Sequence, residues 1–174
     1  MELSMVLGIM SDTHGNTLWM FEVAEAMEAD FGAQVIFHLG DDYEDAETLA
    51  AAGYDVRMVP GLWCRAYADG RTPKRLYETF DGVSIVCAHS EKDLRKADRS
   101  AGVVLTGHTH EARIELIGKS LYVNPGHLKG ARSRGRPPSY AVVVIEPGAV
   151  RASIHGLDGT VCLQQVVDRD VLSE

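Results

Sequence analysis

The chain has few cysteines. Its 174 residues include only Cys64, Cys87 and Cys162. An odd number with no close pair argues against a disulfide scaffold and against a cysteine-based structural zinc site. Long apolar runs are also missing. Met1-Glu2-Leu3-Ser4 has no basic flank, and the apolar run after it is too short for a signal peptide or a membrane span. These absences lead us to expect a reducing, cytoplasmic compartment and no membrane partner. Positive charge is in deficit, with 17 Lys and Arg against 25 Asp and Glu, a net charge of -8. That balance argues against a nucleic-acid coat and a polybasic membrane surface. No Gly-x-Ser-x-Gly is present, and no internal repeat, low-complexity segment or linker interrupts the chain. At 45% hydrophobic and 24% charged residues, residues 1–174 read as one soluble domain able to bury a core.

What is present begins with an apolar run, Met5 to Met10, read as a buried first strand, followed by Ser11-Asp12-Thr13-His14. Asp12 and His14 are two apart, so in extended chain both point to one side. Asn16 to Asp30, with Leu18, Phe21, Val23, Ala24 and Met27, has helical spacing; Asn16 or Thr17 caps it and Gly32 ends it. Gln34 to Leu39 is a second buried strand ending at Gly40-Asp41. We expect Asp41 as a ligand, Asp42 and Asp45 as caps of a helix from Tyr43 to Ala52, and His38 as a core or supporting histidine. A third strand, Tyr54 to Val59, stops at Pro60-Gly61. This alternation predicts a parallel sheet whose site lies beyond the strand carboxyl ends.

From Arg75 the texture changes to short strands and glycine turns, at 75–80, 83–88, 103–105, 113–117, 120–123, 140–145, 149–155 and 160–167. Asp81-Gly82 and Gly118-Lys119 are hairpin signals. Glu91 to Arg99 reads as a charged, exposed helix. The second half is therefore expected to be mostly antiparallel, and the whole an α/β fold of two facing sheets with helices outside. His89 closes one strand and Gly107-His108-Thr109-His110 another. Small residues around His108 and His110 leave room for an ion. Four histidines at strand ends, with Asp12 and Asp41, point to a metal site.

Asp12-x-His14, Gly40-Asp41, His89 and Gly107-His108-Thr109-His110, in that order, resemble the calcineurin-like metallophosphoesterases. Asn124-Pro125-Gly126 and Pro138-Ser139-Tyr140-Ala141-Val142 resemble its small bacterial and archaeal phosphodiesterase branch. The resemblance covers nearly the whole chain. It implies a four-layer α/β/β/α sandwich of two mixed sheets, and two divalent metals at one edge. Asp12, His14, Asp41 and His110 would hold the first metal. Asp41 would bridge, and His89 and His108 would hold the second, Asp41 and His108 being the catalytic pair. Imidazole with carboxylate suits manganese foremost, or iron, nickel or zinc. Two ions roughly 3.5–4 Å apart share a hydroxide that attacks phosphorus in line. The expected activity is hydrolysis of a phosphodiester, on a small phosphoester or a nucleic-acid substrate, and strictly metal-dependent.

One part of the pattern is missing. The family has Gly-Asn after the third strand, where the Asn ligates the second metal; this chain has Gly61-Leu62-Trp63-Cys64. Either water completes the second ion's shell, or Cys64 ligates it, or that site is weak. Cys64 is otherwise a small buried hydrophobe. Without an evident general acid, good leaving groups are favoured. Lys129 to Arg136 is a solvated loop or a cationic lip for phosphate. Asn124, Gly126, His127 and Arg132 are candidate phosphate contacts, His127 being a turn residue or a pocket acid. Two functions stay open: a metal-dependent phosphoesterase, or an inactive relative serving as a protein-binding scaffold, as the small retromer subunit does. A homo-oligomer is compatible with either.

Overall fold

A computed structural model describes residues 4–172. The first sheet carries β1 (Met5–Met10), β2 (Val35–His38), β3 (Val56–Met58), β9 (Ser139–Ile145), β10 (Ala149–Gly156) and β11 (Val161–Asp168). Its order is β11-β10-β9-β1-β2-β3. The second holds β4 (Arg75–Phe80), β5 (Val83–Ala88), β6 (Val103–Thr106), β7 (Arg113–Ile117) and β8 (Ser120–Asn124), in the order β4-β5-β6-β8-β7. Helices α1 (Thr17–Phe31) and α2 (Tyr43–Ala51) follow β1 and β2, and short helices α3 (Arg65–Ala68) and α4 (Arg169–Leu172) follow later. The expected sandwich of two mixed sheets is what forms.

Period-two alternation builds it. In β1, Leu7 and Ile9 enter the core between the sheets, while Val6 and Met10 join the cluster under the helices. β9 repeats this with Ala141, Val143 and Ile145 against Tyr140, Val142 and Val144. On the second sheet Ile85, Cys87, Val103 and Leu105 face the same core, and Val86, Ala88 and Val104 face outward under Leu94 and Ala101. Asn16 caps α1 by accepting from Trp19 N, and Gly32 ends it at φ 72°. Met20, Val23, Ala24 and Met27 form its buried stripe. Leu18, expected on that stripe, lies off it and is exposed.

One expectation is corrected. Glu91–Arg99 is not a helix but two 3₁₀ turns, Glu91–Asp93 and Ala97–Ser100. Ser90 Oγ caps the first turn by accepting from Lys92 N, but Asp98 Oδ2 takes Arg95 N, the amide that a helix from Glu91 would spend on the Glu91 carbonyl. The outer layer on this sheet is correspondingly thin. The second half is mostly antiparallel, as expected, through β4–β5, β7–β8, β9–β10 and β10–β11, around a parallel centre of β5, β6 and β8. With β1, β2 and β3 also parallel, each sheet ends several strands on the site's side.

Candidate metal centre

The site gathers the loops that leave β1, β2, β5 and β6. The backbone there is unusual. Asp12 (φ 55°), His14 (φ 48°), His108 (φ 67°) and His110 (φ 61°) are left-handed, four of seven such non-glycine residues among those described. Side chains two apart therefore converge through tight turns, not through the extended chain the sequence suggested. Around His108 the turn closes from Thr109 N to Gly107 O at 2.8 Å. Such conformations cost of order 1–3 kcal/mol each and collect where function needs them.

Close approach makes the convergence feasible. A methyl group on Gly107 would overlap Ser11 Oγ and come within 2.9 Å of Asp12 Oδ2. The end of β6 thus lies directly against the end of β1. Gly61 is as crowded: a methyl there would overlap the Asp41 carboxylate.

The donor atoms then face one another. His89 Nδ1 lies 2.7 Å from the Leu39 carbonyl oxygen, which only accepts, so the ring proton is on Nδ1. His89 Nε2 is turned to the site, buried and without a hydrogen-bond partner, 3.4 Å from Asp41 Oδ1. Asp41 Oδ1 has no partner either. On the other side His14 Nε2, also buried and unpartnered, lies 3.7 Å from Asp41 Oδ2 and 3.8 Å from Asp12 Oδ1. His110 Nε2 lies 3.0 Å from Asp12 Oδ1. Two donor groups result, Asp12 with His14 and His110, and Asp12 with Asp41 and His89, each spanning no more than 4.8 Å. Apart from the His110–Asp12 hydrogen bond, those spacings are long for hydrogen bonds but suit ligands that each sit about 2 Å from a shared ion. Buried imidazoles and carboxylates facing one another in this way fit divalent metals.

Neighbouring groups fix the donors. Ser11 Oγ donates to Asp12 Oδ2 at 2.5 Å, and His108 N donates to the same oxygen at 3.0 Å, leaving Oδ1 turned to His14 and His110. Burial pushes the Asp12 carboxyl up, but His110, His14, His89 and Ser11 together hold it far below the ordinary range. His110 Nδ1 meets Ser133 Oγ at 2.7 Å. Behind the loops lies a buried chain. Gly40 N donates to His38 Nδ1 at 3.3 Å, so Nε2 carries the proton and meets Thr13 Oγ1 at 3.2 Å. Thr13 donates to Asp45 Oδ2 at 2.5 Å, and Gly15 N donates to that oxygen at 2.9 Å. Burial pushes His38 down to about 4. His38 is thus the supporting histidine expected. Asp45 is not a cap: it ties the loop after β1 to α2. Asp42 makes no side-chain capping bond either.

The chain matches the calcineurin-like phosphoesterase superfamily domain over residues 5–148. It belongs to that family. Among solved structures, the Escherichia coli phosphoesterase YfcE is 22% identical, with a TM-score of 0.71, over 92% of this chain and 98% of that one. An archaeal phosphodiesterase is 19% identical, with a TM-score of 0.65, over 94% of this chain and 100% of that one. A Vps29 variant from Entamoeba histolytica is 18% identical, with a TM-score of 0.67, over 94% and 99%. These likenesses are of fold. A comparison with curated proteins returned no match. Membership of the family makes a phosphoester hydrolase using divalent metals the coarse reading of this fold.

The remaining candidates fall in different places. The His108 ring packs beside His89, centroids 5.1 Å apart, outside the two donor groups. Burial, then His89, lowers its pKa. Cys64 Sγ accepts from Asp42 N at 3.1 Å and Tyr43 N at 3.2 Å, at the start of α2. Asn124 spends its amide on Gly107 O, Thr109 Oγ1 and Gly126 N, which braces the His108 loop. Gly126 adopts φ 85° against Ser139. His127 is buried beside His110, rings 5.2 Å apart; Nε2 donates to Arg136 O and Nδ1 is unpartnered. Arg132 is exposed. Its loop is pinned, Arg134 donating to His108 O and Arg136 pairing with Glu111. The sequence reading missed Thr13 and Asp45 as braces; an acidic residue on a helix's first turn carries no signal separating cap from brace.

Proposed function

We propose that this family member is a cytoplasmic, manganese-dependent phosphodiesterase, a single domain acting on small phosphodiesters at a two-metal centre. One observation carries the reading. His89 Nε2 and Asp41 Oδ1, both buried and without a hydrogen-bond partner, face each other at 3.4 Å, and His14 Nε2 closes the other side. Asp12, His14 and His110, with Asp41, would hold one ion; Asp41, His89 and His108 would hold the other. Bound ions would neutralise charge on the phosphoryl oxygens and acidify a water.

The chain's own residues do the positioning. Leu39 sets the His89 tautomer, as partners of ligating histidines commonly do, and Ser133 holds the His110 ring in place. Ser11 and the His108 amide aim Asp12 Oδ1 inward. His108, half-buried and kept neutral by its lowered pKa, stands at the edge nearest substrate. Three free cysteines accord with a reducing compartment. Among the described residues no helix is long and apolar enough to cross a membrane.

Leu62 in the place of the family's Asn favours a second reading, a scaffold without turnover, for which the Vps29 fold is a precedent. Comparing bis(4-nitrophenyl) phosphate with 4-nitrophenyl phosphate on manganese-loaded protein separates them. Preferential turnover of the diester supports the proposal. Turnover of neither supports the scaffold.

A further inference from the structure

We infer that Trp63 is a stacking platform at the mouth of the metal centre, and that the substrate carries an aromatic group next to its phosphoester. This rests on the phosphoesterase reading above. Trp63 is 83% exposed and its neighbour Leu62 40% exposed. Both are the central residues of a four-residue turn closed from Cys64 N to Gly61 O at 3.0 Å.

Each end of that turn is clamped to the site. Gly61 lies against the Asp41 carboxylate so closely that a methyl group would overlap it. At the other end Cys64 Sγ accepts the amides of Asp42 and Tyr43, the two residues after Asp41. The turn is therefore held rigidly beside a candidate ligand, with its two apolar side chains in solvent. Indole is flat, rigid and cheap to immobilise, and it binds aromatic faces in offset or edge-on contact. Single exposed apolar residues are ordinary on surfaces. A tryptophan at the tip of a turn bolted to the metal site is not placed by packing, because it packs on little. Leu62 has no donor or acceptor and adds to the apolar surface.

The site also carries cationic groups. Arg134 donates to His108 O and Thr109 O, and exposed Arg132 belongs to the same loop. A ligand with an anionic phosphate and a flat aromatic group matches the metal ligands, the arginines and Trp63 together. The aromatic group is either an aryl alcohol or the base of a nucleotide; both present the same face to Trp63. An aryl leaving group also needs little protonation, which suits a site without an evident general acid.

Trp63 is one of two tryptophans in the chain, so it reports on itself once Trp19→Phe removes the other. The probes are phenyl phosphate, AMP, cyclohexyl phosphate and inorganic phosphate, titrated into the zinc-loaded Trp19→Phe protein. Saturable quenching of Trp63 emission by phenyl phosphate or AMP, and none by cyclohexyl phosphate, is the expected result. Which of the two aromatics binds more tightly identifies the source. By calorimetry, Trp63→Ala should weaken the aromatic ligand roughly tenfold, about 1.4 kcal/mol, as expected for a lost stack, and leave inorganic phosphate unchanged. If inorganic phosphate binds but phenyl and cyclohexyl phosphate bind alike, with or without Trp63, this inference is overturned alone. If inorganic phosphate itself fails to bind, the phosphoesterase reading falls and takes this one with it.

Discussion

His89 Nε2 and Asp41 Oδ1 face each other at 3.4 Å, both buried and both without a hydrogen-bond partner. The Leu39 carbonyl accepts the hydrogen bond of His89 Nδ1, so Nε2 is the nitrogen turned to the site. Unsatisfied buried groups of this kind are rare in folded proteins. A divalent cation between them would satisfy both. The same logic covers His14 Nε2 against both aspartates.

The brace behind the site should matter to metal affinity. Asp45 accepts from Thr13 and Gly15 and so fixes the loop that carries Asp12 and His14. Asp45→Asn should cost about 1–3 kcal/mol of stability, since a buried acceptor is replaced in part by a donor. Metal affinity by calorimetry should fall about 10–100-fold, as for other outer-shell partners. Unchanged affinity would make Asp45 a stability residue only.

Two glycine substitutions should differ sharply. Gly61→Ala places a methyl group within 2.7 Å of Asp41 Cα and on its carboxylate. It should destabilise by about 1–3 kcal/mol or more and displace a ligand, so metal binding is lost. Gly32→Ala meets nothing within 4 Å but sits at φ 72°. It should cost about 1–2 kcal/mol through backbone strain alone and leave metal binding intact. Denaturant midpoints with metal titrations check both.

Acid should destabilise the fold through its neutral buried histidines. Burial lowers His38 from 6.5 to about 4, so the unfolded chain binds the proton first. Its contribution is whole above pH 6.5 and is lost as pH falls towards 4, by at most about 3 kcal/mol. Burial lowers His127 and His155 too, in the same direction. His38→Gln should flatten the dependence of the denaturant midpoint on pH in this window. An equally steep profile in the variant would exclude His38 as a source.

Leu62→Asn should restore the donor that the family pattern has at this place. Its expected effect is a tighter second equivalent in a manganese titration, with the first unchanged. If neither step moves, the turn does not reach the second ion.

Most of the fold was legible because alternation and glycine turns are local signals. β1, β4, β5 and β7 begin and end where apolar periodicity and hairpin dipeptides place them. The histidines and aspartates were legible because strand ends can be counted. Two kinds of feature were not. Glu91–Arg99 has helix-forming residues, but Asp98 takes the Arg95 amide that a helix would spend on Glu91. The left-handed backbone at Asp12, His14, His108 and His110 is set by loops pressed together from two sheets, which spacing alone does not encode. Asp45 and Cys64 belong with these, since their partners lie 32 and 22 residues away.

The most direct measurement is hydrolysis of bis(4-nitrophenyl) phosphate by chelator-stripped protein as manganese is returned stepwise, in the native chain and in His89→Ala. The expected result is no turnover when stripped, turnover restored by manganese, and little or none in the variant at any concentration. Turnover that survives the chelator, or that is absent with manganese, nickel and zinc alike, would contradict a metal-dependent phosphodiesterase built on His89 and Asp41.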